Sequence, residues 1–175
     1  MIRNRRPMPV LHLLCGKIAS GKSTLARSLS LEHSAIMISE DHWLAGLYPG
    51  QISSVADYVR HARQIREVLG PLVIDILKAG AHVILDFPAN TPQDRQWLSH
   101  LADVAGARHC VHYLEVEDAL CRERLRVRNA LGEHDFAASD AEFDLITSYF
   151  RAPEPAEGLE VVLHQSLFAA RETRL

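Results

Sequence analysis

Short, continuous apolar runs alternate along this chain with longer segments in which apolar residues recur every three or four positions. The runs Val10 to Cys15, Ala35 to Ile38, Ala81 to Asp86, His109 to Leu114 and Leu159 to Leu163 read as strands. They lack a polar/apolar alternation, which predicts strands buried on both faces. Between them the pattern predicts helices over about Lys22 to Leu31, from Ser54 towards Lys78, from Thr91 onward, and over Asp118 to Leu131. A last helix starts at Ser139 and ends before Pro153. Ser54 with Asp57 and Ser139 with Glu142 have capping-box spacing, and Thr91-Pro92-Gln93-Asp94 joins a capping Thr to Pro at the first helical position. Gly70-Pro71 is expected to kink or divide its helix. Glu40 to Ser53, with Gly46, Pro49 and Gly50, reads as a loop. Strand–helix alternation of this kind predicts a three-layer α/β fold on a parallel sheet with right-handed crossovers, whose ligands bind at the carboxyl ends of the strands.

Composition narrows the picture. The 175 residues are 47% hydrophobic and 23% charged, the balance of one globular domain over residues 1–175. The formal net charge of -3 argues against a general nucleic-acid binder. No apolar run reaches the ~18 residues that span a bilayer, so no membrane association is expected. The basic N-terminus, Met1 to Pro9, lacks the apolar core of a signal peptide. Cys15, Cys110 and Cys121 form no CxxC pair and read as free buried thiols, which fits a cytoplasmic protein. The ten histidines form no HExxH or Cys/His pattern, so no zinc site is expected. Oligomeric state leaves no mark on the sequence.

Gly16-Lys17-Ile18-Ala19-Ser20-Gly21-Lys22-Ser23 fits GxxxxGK[ST] at every fixed position. It follows a strand and opens a helix, as phosphate binding requires. Backbone N–H groups of Gly16, Lys17, Ala19, Ser20, Gly21, Lys22, Ser23 and Thr24 would surround the phosphates of ATP, helped by the helix N-terminus. Lys22 would reach the β and γ phosphates, and the Ser23 hydroxyl would bind Mg²⁺.

Two acidic groups follow strands. Asp86 ends Val83-Ile84-Leu85-Asp86, the position from which a carboxylate joins Ser23 around Mg²⁺. Glu40 and Asp41 follow the second strand. Asp41 is the expected base for a hydroxyl acceptor, with Glu40 as the alternative. In Cys121 to Asn129, Arg124 and Arg128 share one helix face, and Arg122 and Arg126 another. They lead into a small lid at about 129–140, where one arginine could stack on adenine and another neutralise the transferring phosphoryl group. Arg60, Arg63, Arg66 and Arg95 are candidates for an anionic acceptor or for a solvated stripe. His42, Trp43, Tyr48 and Tyr58 line a possible acceptor pocket, unless Trp43 anchors the core with Leu44 and Leu47.

The segments GKIASGKST, ISEDHWLAGLYPG, VILDFPANT, CRERLRVRN and FDLITSYFRAPEPAEGLEVV together resemble the small P-loop kinases of the AAA family ATPase group. These are relatives of chloramphenicol phosphotransferase, zeta toxins and the kinase domain of polynucleotide kinase. The resemblance runs from about Leu11 to Leu163. It implies a five-stranded sheet in the order 2-3-1-4-5, an acid after strand two as base (Glu40 or Asp41), Arg124 packing on adenine and Arg128 meeting the phosphates. Relatives often carry an arginine three residues after that acid. Trp43 or Leu44 stands there instead, which argues against an anionic acceptor bound in that manner. Gly132, His134 and Asp135 occupy the place of further lid arginines. The expected activity is transfer of the γ-phosphate of ATP to a hydroxyl of an unidentified small molecule. A polynucleotide 5′-hydroxyl kinase, a nucleoside monophosphate kinase and a P-loop switch without an acceptor are the alternatives.

Overall fold

A computed structural model describes residues 8–132 and 136–165. The elements run β1 (Val10–Cys15), α1 (Lys22–His33), β2 (Ile36–Ser39), α2 (Glu40–Leu47), α3 (Val55–Lys78), β3 (Val83–Pro88), α4 (Pro92–Ala105), β4 (Arg108–Glu115), α5 (Asp118–Leu131), α6 (Asp140–Ser148), a 3-10 turn (Pro155–Glu157) and β5 (Val161–Gln165). The strands form one sheet in the order β2-β3-β1-β4-β5, and all four pairings are parallel. This is the expected P-loop kinase architecture.

Helices cover both faces of the central strands β1 and β3, which are buried on both, whereas the edge strand β5, expected to be buried likewise, leaves Val161, Val162 and Leu163 exposed because no further strand or helix covers it among the described residues. Leu11, Leu13 and Cys15 of β1, with Val83, Leu85, Phe87 and Val111, pack under Ile65, Leu69, Val73 and Leu77 of α3 and Leu98 and Leu101 of α4. The opposite face sets Leu14, Ile84 and Leu114 against Leu25, Ala26 and Leu29 of α1. Cys121, Leu125 and Phe143 tie α5 to α6 in a separate cluster, against which Ile18 and Ala19 pack.

Two expectations need correction. Glu40 to Leu47 is a helix, not part of a loop. Ser39 caps it by accepting from the His42 N–H at 3.5 Å, and Leu44, fully buried, anchors it. Trp43 is 38% exposed, so Leu44 and not Trp43 is the core anchor. In addition, α3 is not divided at Gly70-Pro71 but runs as one helix to Lys78. An interior proline costs about 3 kcal/mol. Leu69, Val73 and Leu77 are buried on the same helix, each contributing roughly 1.5–3 kcal/mol, which outweighs it. The capping at the start of α3 is also shared. Ser54 Oγ accepts the Asp57 N–H at 3.1 Å, while the Asp57 carboxylate takes the Ser53 N–H as well as both serine hydroxyls. The full capping box stands at Ser139 and Glu142.

The expected N-terminal arm and the C-terminal tail from Ser166 lie outside the described residues. So do residues 133–135 of the expected lid. Asn129 to Leu131 close α5, and Asp140 opens α6. Among the described residues, no helix is long and apolar enough to cross a membrane.

Candidate active site

The glycine loop leaves β1 at its carboxyl end, and long-range contacts fix its shape. The Gly16 N–H donates to Asn90 Oδ1 at 2.9 Å, which fastens the loop to the end of β3. A Cβ on Gly16 would stand 2.6 Å from Ser20 Oγ and 3.2 Å from the Leu114 Cβ, so only glycine fits. Gly21 has φ 105, a conformation open to glycine. Ala19, at φ 61, holds a left-handed backbone without that freedom, of the kind that gathers at functional loops. Ser20 is buried, and its hydroxyl has no hydrogen-bond partner among the described residues.

Lys22 folds back over the loop, donating to the carbonyls of Gly16 at 2.7 Å and Lys17 at 2.8 Å. Burial pulls its pKa down, while Asp86 and Asp41 act to hold the proton on. Asp86 lies beside Ser39 in the β2–β3 register. Burial raises its pKa, opposed by a hydrogen bond from the Ser23 side chain and by Lys22. Ser23 and Asp86, separated by 63 residues of chain (86 - 23), therefore meet at the loop.

Ser39 leads directly into α2, so Glu40 and Asp41 stand in its first turn, where the helix dipole favours carboxylates. Their fates differ. Glu40 is 1% exposed and accepts from Arg66 Nε at 2.9 Å. Burial pushes its pKa up, and Arg66 opposes the shift. Arg66 also donates to Asp94 at 2.7 Å and lies over the Trp97 ring. Asp41 accepts from the Tyr58 hydroxyl at 2.6 Å, and the same hydroxyl reaches Glu40 at 3.1 Å. Burial, then the two carboxylates, holds the Tyr58 phenol well above its usual pKa. Asp41 faces the loop side: its charge acts on Lys22, Asp86 and Arg128.

From the other flank, Arg124 donates to the Ser20 carbonyl at 3.3 Å. Arg128 Nε is buried with no hydrogen-bond partner among the described residues. Burial lowers the Arg128 pKa, and Asp41 opposes this. Leu120, Glu123, Arg124, Val127, Arg128 and Leu131 line a groove along α5. Lys17 pairs with Asp118 and lies over the Phe150 ring.

The acceptor-side candidates separate. Arg95 is fully buried, bound to Glu157 through Nε and Nη2 at 2.7 Å each and to the Ala89 and Arg151 carbonyls. It braces α4 against the 3-10 turn, so it is no acceptor ligand. Arg60 pairs with Asp57 and Arg63 with Glu67 on the outer face of α3. Tyr48 stacks on His61 at 4.0 Å, away from the pair formed by Tyr58 and Phe136. Three residues play parts that the sequence did not indicate. Asn90 clamps the loop, Asp94 shares Arg66, and Arg66 itself serves Glu40. Arg66 adjoins the buried Ile65 in a 3.6-residue period, a signal that it stands at the edge of the core face.

A family model described as AAA domain matches residues 11–153. No curated protein matches the chain. Among solved structures, a protein of Chloroflexus aurantiacus proposed to be a kinase has 21% identity and TM-score 0.74, covering 92% of this chain and 87% of its own. Kti12 of Chaetomium thermophilum, solved with ADP-AlF3, has 20% identity and TM-score 0.70, with 94% and 92% covered. A gluconokinase of Sinorhizobium meliloti has 14% identity and TM-score 0.56, with 92% and 83% covered. At such identities the likeness extends to the fold.

Proposed function

Because the chain belongs to the AAA domain family, we propose that it is an ATP-dependent kinase that phosphorylates a hydroxyl of an uncharged small molecule. The division of labour between Glu40 and Asp41 carries this reading. Arg66 commits Glu40 to the scaffold, while Asp41 is steered by Tyr58 towards Lys22 and Asp86. Asp41 is then the base. It takes the proton from the acceptor hydroxyl as that oxygen bonds to the γ phosphorus and the bond to the β–γ bridging oxygen breaks, releasing ADP. Lys22 and Arg128 neutralise charge on the transferring group, and Arg124 supports the adenine end.

Mg²⁺ fits the donors present. The Ser23 hydroxyl and Asp86 carboxylate are adjacent hard oxygen ligands. When bound, the ion would offset the negative charge of the phosphates.

The acceptor class follows from the arginines. On the α3 and α4 side, Arg60, Arg63, Arg66 and Arg95 are each paired with carboxylates. None is spared for a phosphate or carboxylate on the acceptor, which supports a neutral polyhydroxyl compound. The gluconokinase and sugar kinase folds among the neighbours are in keeping with a small hydroxyl acceptor.

The test is ADP release from Mg-ATP with a panel of sugars, nucleosides, nucleoside monophosphates, aminoglycosides and a 5′-hydroxyl oligonucleotide. A neutral acceptor should stimulate release, and Asp41→Asn should cut kcat about 10²–10⁴-fold with little change in ATP affinity. A larger loss in Glu40→Gln would exchange the two roles. Steady hydrolysis that no acceptor changes would replace the kinase reading with a nucleotide-dependent switch.

A further inference from the structure

The face of the sheet covered by α1 carries an unusual row of side chains away from the glycine loop. His12 of β1 pairs in register with Cys110 of β4, and His112 follows two residues on. All three point to the same face and are buried, at 5%, 8% and 5% exposure. One ring nitrogen of each histidine and the Cys110 sulfur lie within 4.8 Å of one another. His12 Nδ1 and His112 Nε2 are 3.0 Å apart. Two nitrogens on one tetrahedral zinc, at bond lengths of about 2.0–2.1 Å, stand ~3.3 Å apart, so the observed spacing needs only a small adjustment.

The row of rings continues past His112. His112 Nδ1 meets His164 Nε2 at 3.0 Å, so both nitrogens of His112 are engaged. His12 Nε2, at the inner end of the row, is buried with no partner among the described residues. That nitrogen is not the one facing His112, so the His12 ring joins the row through Nδ1. His164 stands where an orienting partner of a metal-bound histidine would stand, behind the ligand ring. His33, at the end of α1, stacks on His12 at 4.7 Å.

We propose that His12, Cys110 and His112 form a transition-metal site of zinc type, with two nitrogen ligands and one sulfur. Such donors suit borderline cations such as Zn²⁺ and not the hard Mg²⁺ of the phosphate site. The ion would tie β1 to β4 at the foot of α1. His12 stands four residues before Gly16 along β1, about 13 Å at 3.3 Å per strand residue, so the site is separate from the phosphate loop. The ligands come from two strands 98 positions apart in register (110 - 12), which is why linear spacing along the chain showed no zinc pattern.

Cobalt(II) titration of the full chain tests this. One equivalent should produce a near-ultraviolet thiolate-to-cobalt band and the visible bands of four-coordinate cobalt, and excess Zn²⁺ should remove both. Cys110→Ser should abolish the thiolate band, and His112→Gln should weaken binding at least 10-fold. His100→Ala, an exposed histidine on α4, should match the parent, and excess Mg-ADP should leave the spectrum unchanged. A thiolate band that survives Cys110→Ser, or no such band at all, overturns the proposal. Should the variants fail to fold by circular dichroism, X-ray absorption on the zinc-loaded parent decides. A shell with sulfur at about 2.3 Å beside nitrogen at about 2.0 Å supports the site, and a shell of light atoms alone overturns it.

Discussion

The two flanks of the glycine loop use arginine in opposite ways. On the α3 and α4 flank, Arg66 and Arg95 are saturated: Arg66 by Glu40 and Asp94, Arg95 by Glu157 and backbone carbonyls. On the α5 flank, Arg124 leans on the Ser20 carbonyl and Arg128 buries its Nε without a hydrogen-bond partner among the described residues. A charge that is desolvated and not hydrogen-bonded lowers stability. The first flank is therefore scaffold, complete in itself. The second is a place where an anion would recover what burial costs. The same side chain thus differs by its partners and not by its type: Arg66 and Arg95 hold the fold, and Arg128 is the one for which phosphate binding is proposed.

The sharpest way to break this contrast is to remove one member from each flank. Lys22→Ala should abolish phosphoryl transfer while leaving the far-ultraviolet dichroism and melting intact; measurable transfer above the uncatalysed rate would sink the role of the loop. Arg128→Ala should lower kcat by about 10³-fold, the lower end for an arginine on a transferring phosphoryl group, with no loss of stability in urea. Arg66→Ala should do the reverse. It leaves Glu40 buried and unpaired, at a cost of roughly 3–5 kcal/mol. The double variant Arg66→Ala/Glu40→Leu should recover much of that cost in the same urea titration. Equal destabilisation by Arg128→Ala and Arg66→Ala would erase the difference between the flanks. A smaller effect is ligand-induced: Mg-ATP at a hundredfold its Kd should add about 2.7 kcal/mol of stability, and the gain should shrink in Arg128→Ala but persist in Arg60→Ala. Smallest of all, Arg60→Ala on the outer face of α3 should shift stability by no more than about 0.5 kcal/mol.

Legibility in the sequence followed the range of the interactions. The β1–loop–α1 unit is set by contiguous residues, and its boundaries could be read from glycine spacing and an apolar run. Thr91 and Ser139 announced their helices through local capping. By contrast, α2 was read as a loop because Glu40-Asp41-His42-Trp43 shows no apolar period; Leu44 is its one buried apolar residue, and the cap comes from Ser39 in the preceding strand. The partners of Arg66 and Arg95 lie 26 and 62 residues away, beyond any local pattern. The same holds for Asn90, an unremarkable residue after a strand until β3 carries it beside Gly16. From sequence, Asp41 was the expected base with Glu40 as the alternative, while the contacts of Arg66 and Tyr58 that set the two carboxylates apart lie beyond any local pattern.

The link between Gly16 and Asn90 has a consequence for how the protein is made. The loop is contiguous in the chain, yet its first glycine is fastened to a residue 74 positions later and closes against Leu114. During synthesis the residues of the loop leave the ribosome early, but the strands that shape it arrive long afterwards. At 5–20 residues per second, the wait from Ser23 to Leu114 is about 5–18 s. Over that interval a nascent chain carries the whole phosphate-binding motif without its geometry. Nucleotide can then act as a late consolidator of the folded protein, not as a template for its first steps, and a ribosome-bound chain stalled before Asn90 should not retain ATP.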